Sequence, residues 1–246
     1  MQKLIQFPGV DGVSFIADRF TLQQFREYAS HVDDYDFWDR MINGGDTVNW
    51  REHERVKTHY IGYSFSMAQK AAIPIYERHR YSKPFCTGRI LDVGSFTGIF
   101  LSHLLMSGYD AIGVDMGDNV ISVCREHLRI IGMDESRVVK GLFHAMPFPE
   151  GHFDTVICQE GFEHFFSPPL LMHEIRRVLQ PGGGFTGSTP HRNAVDDPLH
   201  IVYFEEYGMR NLLETAGFEV VDLRIGPSCF ATDEPTQILW KARKKT

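Results

Sequence analysis

The sequence RILDVGSFTGIF, residues 89–100, decides how the rest of the chain is interpreted. Ile90, Leu91 and Val93 form an apolar run of the kind found in buried strands. A glycine-containing turn follows, and a helix is predicted to begin near Gly98. A strand, a glycine turn and a helix in this order place a nucleotide at the carboxyl edge of a parallel sheet. The stretch therefore predicts a nucleotide-binding α/β fold.

The spacing within the turn narrows the class of nucleotide. Residues 92–98 read DVGSFTG, so an acid stands two residues before the first glycine and no GxGxxG string follows the strand. This disfavours a dinucleotide-dependent oxidoreductase. Gly94 is expected to let the backbone turn sharply where a side chain would collide with a ligand, and Gly98 to let the helix pack close to the strand.

The turn resembles motif I of the class I S-adenosylmethionine-dependent methyltransferases, of the methyltransferase type 11 kind. Asp92, Gly94 and Gly98 match that motif, whereas Phe96 stands where the family usually has its middle glycine. The resemblance continues to residue 246, with a helix stop expected at Pro181 before a fifth strand. It implies an α/β fold with a doubly wound, seven-stranded, mostly parallel sheet and S-adenosylmethionine as the cofactor.

Two further strand ends supply candidate cofactor contacts. Residues 111–114 read as the second strand, and Asp115 ends it about twenty residues after Gly94. A carboxylate at this place can accept hydrogen bonds from both ribose hydroxyls. Met116 either packs on the adenine or belongs to the core.

The third and fourth strands add two more candidates. Residues 138–141 read as the third strand, and Leu142 then stands where the family usually has an aspartate that binds the adenine amino group. Phe143 can still offer its backbone N–H and stack on the base. Gln159 ends the fourth strand and can face the sulfonium or the amino group of the cofactor.

The string EGFEH after the fourth strand suggests a metal site. Glu160, Glu163 and His164 are spaced i, i+3 and i+4, so one helical turn brings them to the same side. They form half a ligand shell for Mg, Mn, Fe or Zn, which His200, or else His191, can complete. The string resembles the metal site of RNA 3′-terminal 2′-O-methyltransferases and that of ubiquinone-pathway O-methyltransferases. In those families the metal activates an acceptor hydroxyl.

A metal-free interpretation of the same residues stays open. Glu163 can cap a helix while His164 packs against a neighbouring loop. His164 or His200 is then the candidate general base, because a neutral imidazole can take a hydroxyl proton near pH 7. The weaker candidates for that role are His144, His191, His53 and His59.

The first 85 residues differ from the rest and lie outside the resemblance. We predict that residues 1–85 form an aromatic-rich helical cap and that residues 86–246 form the methyltransferase domain. Thr21 is a plausible N-cap of the first helix, residues 33–42 have helical spacing, and a third helical region spans residues 50–79. The cap either closes over the active site as a lid or packs on the sheet.

Composition limits the partners and the location. The formal charge is −7 and the pI is about 5.9, which disfavours nucleic acid as a substrate. Four cysteines without a CxxC pair, the absence of an N-terminal signal pattern and the absence of a long apolar segment indicate a cytoplasmic protein with no membrane span. No motif specifies an oligomeric state.

The sequence as a whole predicts an S-adenosylmethionine-dependent methyltransferase. O-methylation of a small hydroxylated metabolite, such as a sugar, a phenol or a natural product, is the favoured reaction. N-methylation of a small amine is the near alternative. A non-catalytic module that keeps the fold and binds a nucleoside is the alternative of a different class, suggested by Phe96 and Leu142.

Overall fold

The computed structural model describes residues 4–17, 21–31, 34, 36–37, 72–193, 200–226 and 236–246. The predicted helix at 33–42 and most of the predicted helical region at 50–79 lie outside the described residues. The weaker candidates His53 and His59 lie outside them as well.

The described residues form ten strands and six α-helices. The strands are β1 (Leu4–Gln6), β2 (Val13–Ile16), β3 (Arg89–Val93), β4 (Asp110–Asp115), β5 (Val138–Lys140), β6 (Phe153–Gln159), β7 (Leu179–Pro190), β8 (Val202–Phe204), β9 (Phe218–Gly226) and β10 (Gln237–Lys244). The helices are α1 (Leu22–Ser30), α2 (Ala72–Ser82), α3 (Ile99–Met106), α4 (Asp118–Ile130), α5 (Pro168–Val178) and α6 (Glu206–Thr215).

Seven strands form one sheet in the order β5-β4-β3-β6-β7-β10-β9. The pairs from β5 to β7 are parallel, and β10 runs antiparallel to both of its neighbours. The chain proceeds outward from β3 in one direction and then returns to β6 on its other side. Such a reversal opens a crevice at the carboxyl ends of the two central strands, where α/β proteins bind ligands. The predicted doubly wound, seven-stranded sheet is confirmed.

Two apolar layers cover the faces of this sheet. One core cluster joins α3 and α4 to the sheet through residues such as Leu101, Leu104 and Cys124. The other, larger cluster joins α5 and α6 to the opposite face, with Ile175 and Leu213 fully buried. Because both faces are covered, the central strands are apolar almost throughout, as RILDV of β3 is.

The N-terminal region is not purely helical. β1 and β2 form an antiparallel hairpin, and β2 pairs with β8 to complete a separate three-stranded sheet. The sequence signal is the alternation in VSFI, in which Val13 and Phe15 are buried, behind a turn that contains Gly9 and Gly12 at positive φ. The helical-cap interpretation of residues 1–85 is therefore wrong for residues 4–16.

The sequence also predicts one helix start, at Thr21, and one helix end, at Pro181. Thr21 caps α1 as predicted, since its Oγ1 accepts from the Gln24 N–H at 3.1 Å and Gln24 Oε1 accepts from the Thr21 N–H at 2.9 Å. The predicted helix stop at Pro181 is wrong by three residues. The helix ends at Val178 because Leu179 pairs with Phe153 at the start of β7.

No helix in the part of the chain that the structure describes has the length and apolar character needed to cross a membrane.

Candidate functional site

The turn after β3 keeps the backbone of a glycine-rich loop at all three expected glycine positions. Gly94 and Gly98 have φ of 72° and 78°, and Phe96 has φ of 48°. A side chain at positive φ is strained, with a cost of about 1–2 kcal/mol. The replacement of the middle glycine by Phe96 therefore changes the side chain but not the course of the loop.

Glycine is needed at position 94 and at position 98 for different structural reasons. A Cβ at Gly94 would meet Phe143 Cζ at 3.6 Å, an ordinary contact, so the positive φ is what requires glycine there. A Cβ at Gly98 would lie 2.7 Å from Cys124 Sγ. Gly98 thus permits the close approach of α4, not of the strand as the sequence suggested.

Asp115 joins the turn to the second strand end. Its Oδ2 accepts from the Phe96 N–H at 3.0 Å, and its Oδ1 accepts from the N–H groups of Met116 at 2.8 Å and Gly117 at 3.4 Å. A carboxylate has about four acceptor sites, so about one stays available for a ribose hydroxyl. Burial raises the pKa of Asp115, and the three N–H donors oppose that rise.

Asp92 lies deep beside this acid. It is 3% exposed, and burial, followed by the charge of Asp115, raises its pKa to about 7. A carboxyl group with this pKa is partly protonated at neutral pH. A cationic ligand at this edge would favour its ionised form.

The third strand end presents apolar groups. Phe143 is buried, its ring lies against Gly94, and its centroid is 6.2 Å from that of Phe165. Leu142 is buried where the family has its aspartate, and Met116 is partly buried and packs against the larger core cluster. Phe143 and Leu142 thus belong to the core at this edge, and the contact of Phe143 with the base stays a prediction.

The loop after β6 is polar and tightly held. Gln159 Nε2 donates to Ser82 Oγ at 3.1 Å and to the carbonyl of Arg78 at 3.4 Å, so the structure uses this amide nitrogen to hold α2. Glu160 has φ of 54°, accepts from Ser188 Oγ at 2.7 Å and lies 3.1 Å from Arg78 Nη1. The contact of Gln159 with the cofactor stays a prediction.

Of the four predicted metal ligands, Glu163, His164 and His200 converge and Glu160 does not. The ligand atoms of these three lie within 4.8 Å of one another, and the two imidazole centroids are 5.0 Å apart. Glu163 and His200 are 1% and 6% exposed, whereas the His164 side chain is 39% exposed. The cluster thus combines a buried carboxylate with one imidazole that is accessible to solvent.

One of the two carboxylate oxygens of Glu163 has no hydrogen-bond donor. Oε2 accepts from Thr189 Oγ1 at 2.9 Å, but Oε1 is buried without a hydrogen bond, and the His164 Nε2 lies 3.9 Å away. Burial, and then the negative charge of Glu160, raises the pKa of Glu163 well above its usual range. A buried carboxylate oxygen without a donor beside two imidazoles fits a divalent cation.

Three other predicted residues lie apart from this cluster. The Glu160 carboxylate is used by Arg78 and Ser188. His191 Nε2 lies 3.1 Å from Glu205 Oε2, so His200, not His191, is the histidine that joins Glu163. His144 stacks on Phe165 at 5.7 Å in the loop after β5.

Sequence reasoning missed Arg78 and Ser82. They lie one turn apart on α2, and both contact Gln159. The Arg78 side chain is 11% exposed, and its Nε and Nη1 atoms are buried without a hydrogen bond. The sequence signal for them is weak, because a single basic residue on a helix carries no motif.

Comparison with known proteins identifies the domain. Residues 91–186 match the family model of the methyltransferase domain, type 11. The ubiquinone biosynthesis O-methyltransferase of Photorhabdus laumondii is 33% identical over 106 residues, which cover 43% of this chain and 44% of that protein. The chain therefore matches less than half the length of this curated relative.

Solved structures show the same fold. A methyltransferase of Aquifex aeolicus has a TM-score of 0.60 and 18% identity, with 74% of this chain and 97% of that chain covered. A Thermotoga maritima protein, described as a possible histamine N-methyltransferase, has a TM-score of 0.60 and 18% identity, covering 80% of this chain and 100% of that chain. Residues 91–186 thus match the methyltransferase domain, and the sheet order and glycine turn are those of the fold that S-adenosylmethionine-dependent methyltransferases share.

Proposed function

We propose that this protein transfers a methyl group from S-adenosylmethionine to a hydroxyl of a small metabolite such as a phenol, a sugar or a natural product. The observation that carries the proposal is the convergence of Glu163, His164 and His200 within 4.8 Å beside the carboxyl ends of β6 and β7. The matched relatives named as O-methyltransferases support the same reaction class. S-adenosylmethionine, when bound, supplies an electrophilic methyl group and leaves as a neutral thioether.

The cofactor would lie across the ends of β3, β4 and β5. Gly94, Phe96 and Gly98 shape the loop, and Asp115 keeps about one acceptor site for a ribose hydroxyl. Phe143 offers an apolar ring for the base. Asp92 would be drawn to its ionised form by a positive charge nearby, because its pKa of about 7 leaves it close to balance.

Arg78 and Glu160 suit the amino acid end of the cofactor. That end carries an ammonium and a carboxylate, and the two side chains offer the opposite charges side by side, with 3.1 Å between Arg78 Nη1 and Glu160 Oε2. Arg78 Nε is buried without a hydrogen bond, and Nη1 has only the ion pair with Glu160, whereas a guanidinium can bind a carboxylate through two parallel bonds. This pair is therefore a second candidate contact for the cofactor.

The acceptor hydroxyl would be activated at the imidazole side of the cluster, either by an imidazole that takes its proton or by a cation that the imidazoles hold. In the first route, His164 is the accessible member, so it can reach an acceptor that enters from solvent, while His200 lies deeper. As the acceptor oxygen forms its bond to the methyl carbon, its proton passes to an imidazole and from there to solvent. The chain's main contribution is to align the oxygen and to receive this proton.

Glu163, His164 and His200 would hold a divalent cation such as Mg, Mn, Fe or Zn. A cation bound there lowers the pKa of a neighbouring hydroxyl. The unused Glu163 Oε1 is the structural reason to expect it. Glu160 takes no part in this set, because its carboxylate is not among the ligand atoms that converge and faces Arg78 and Ser188 instead.

The experiment combines substitution with chelation. Purified protein is incubated with radiolabelled S-adenosylmethionine and a panel of catechols, phenols, sugars and amines, before and after chelation and with each divalent ion restored. We expect methylation of a hydroxyl compound, and we expect Glu163→Gln and His200→Ala to reduce it about 100-fold or more. Activity indifferent to chelation but lost in His200→Ala would assign the proton transfer to histidine alone.

A matched variant separates folding from chemistry. Glu205→Gln alters a carboxylate that contacts His191, a histidine of the same part of the chain that lies outside the cluster. It should methylate at the native rate. Full activity in both Glu163→Gln and His200→Ala would contradict the proposed site, and methylation of amines alone would contradict O-methylation.

A further inference from the structure

The main chain of Ile201 links the N-terminal hairpin to the turn that carries Glu163. Its N–H donates to the carbonyl of Glu163 at 2.8 Å, and its carbonyl accepts from the Ile16 N–H at 3.1 Å. Ile16 is the last residue of β2. His200, next to Ile201 in sequence, is thus placed by a backbone contact to the hairpin on one side and to the 3₁₀ turn at residues 162–164 on the other.

The hairpin also holds the strand that follows His200. Phe15 pairs with Val202, and Val13 pairs with Phe204 at the far end of β8. Phe204 has a second main-chain partner, since its carbonyl accepts from the Arg192 N–H at 2.9 Å. At the His200 end, the backbone contacts found within the described ranges are those of Ile201. The position of the chain at the His200 end of β8 therefore depends more on the hairpin than the position of the Phe204 end does.

The packing beneath the cluster depends on the same strands. Phe162 begins the 3₁₀ turn, is fully buried, and meets Phe204 edge-to-face with 6.3 Å between ring centroids. Phe15 and Val13 belong to the same core cluster. A shift of β8 would therefore move Phe162 and, with it, the adjacent Glu163.

A direct backbone contact docks the hairpin on α6. The Gly12 carbonyl accepts from the Glu205 N–H at 2.9 Å, just before the helix begins. A Cβ placed on Gly208 would lie 2.2 Å from the Gly12 oxygen, a distance that no side chain can tolerate. A substitution at Gly208 should therefore displace the hairpin, and this position is remote from the cofactor loop.

We propose that the hairpin β1–β2 is a positioning element, which sets His200 against Glu163 and His164 so that the cluster can activate the acceptor. The inference rests on the proposed function of that cluster. In this proposal the hairpin acts through the backbone of Ile201, and no contact with the acceptor or the cofactor is assigned to it. The N-terminal segment is then part of the catalytic apparatus and not a mere cover for the core.

The test compares two alanine substitutions on α6 in the full-length protein. Gly208→Ala forces the hairpin away from α6. Arg210→Ala is the matched control, because Arg210 lies on α6 two residues from Gly208, and its side chain is 43% exposed and lies 3.6 Å from Glu214. Three quantities are measured: the imidazole NMR signals of His200 without added metal, the affinity for S-adenosylmethionine, and the turnover of catechol, a phenol with two neighbouring hydroxyls.

We expect Gly208→Ala to shift the His200 signals and to lower kcat for catechol about 10- to 100-fold, with cofactor affinity within about twofold of native. Arg210→Ala should resemble the native protein in all three. If Gly208→Ala does not fold, Gly12→Ala replaces it, since a Cβ there would lie 2.6 Å from the Gly208 Cα. Unchanged His200 signals in a displaced hairpin would overturn the proposal. Shifted signals in a protein that does not methylate catechol would retain it and count against the proposed acceptor chemistry instead.

Discussion

The backbone N–H of Phe96 donates to Oδ2 of Asp115 at 3.0 Å, which ties the turn after β3 to the end of β4. One carboxylate therefore both shapes the loop and faces the expected ribose position. The bond also accounts for the positive φ of Phe96, because the peptide must turn its N–H toward the neighbouring strand.

Asp115→Asn should weaken S-adenosylmethionine binding about tenfold or more. The three backbone donors and the ribose hydroxyl are bound by two carboxylate oxygens in the native protein, whereas an amide has one acceptor oxygen. Isothermal titration calorimetry measures the change. Asp118→Asn is the control, since Asp118 is an exposed carboxylate at the first position of α4, close to Asp115 in sequence, and pairs with Lys140. Equal affinities in the two variants would contradict the role given to Asp115.

Phe96→Gly and Phe96→Val should have opposite effects on folding. Glycine accepts the φ of 48° freely, whereas a β-branched residue at positive φ is a marked outlier. We expect the valine variant to have a free energy of unfolding about 1–2 kcal/mol below that of the glycine variant. Urea denaturation followed by circular dichroism decides this, and a valine variant as stable as the glycine variant would show that the turn is not strained.

Asp92 should make the protein less stable as pH rises toward neutrality. Its folded pKa of about 7 lies above the unfolded value of 3.8, so its stabilising effect is present below pH 4 and is lost as pH rises through 7. Asp92→Asn removes this dependence. The free energy of unfolding of the variant, measured from pH 4 to 8, should fall less with pH than that of the native protein; parallel curves would place the titration elsewhere.

His79 should make the protein less stable as pH falls, which is the opposite of the effect of Asp92. It is buried on α2, its ring stacks on Phe100 at 4.0 Å, and its Nδ1 lies 2.8 Å from His103 Nδ1. Burial, followed by the charges of His103, Arg78 and Lys83, lowers its pKa from 6.5 to about 2. Stability from neutral His79 is present above pH 6.5 and is lost as pH falls below it.

The matching variant is His79→Phe, which keeps an aromatic ring against Phe100. Between pH 7.5 and 5 it should lose less stability than the native protein, as measured by urea denaturation. A loss equal to that of the native protein would exclude His79 as the source of the acid sensitivity.

Features that depend on short stretches of chain were predictable from the sequence. The β3 turn, the acid at the end of β4 and the bounds of β10 follow from strand patterns and from glycine and acid positions. The capping box of Thr21 and Gln24 needs four residues. The i, i+3, i+4 spacing predicted a set of Glu160, Glu163 and His164 that His200 completes, and the structure brings together Glu163, His164 and His200 without Glu160.

Features that depend on contacts between distant segments were not predictable. Arg78 meets Glu160 across 82 positions of sequence, and no local pattern encodes that pairing. The role of Gly98 changed because its nearest neighbour, Cys124, lies on another helix. The hairpin carried a usable signal in its alternating residues and glycine turn, but its partner β8 is a three-residue strand that only the folded chain brings to it.

The central claim is that the carboxyl ends of β3 and β4 bind S-adenosylmethionine. Calorimetric titration of the native protein and of Asp115→Ala tests it most directly, with NAD as a competitor. We predict one-to-one binding that Asp115→Ala weakens about tenfold or more and that NAD leaves unchanged. The absence of binding heat and of any thermal shift with S-adenosylmethionine, or displacement of the bound cofactor by NAD, would contradict the claim.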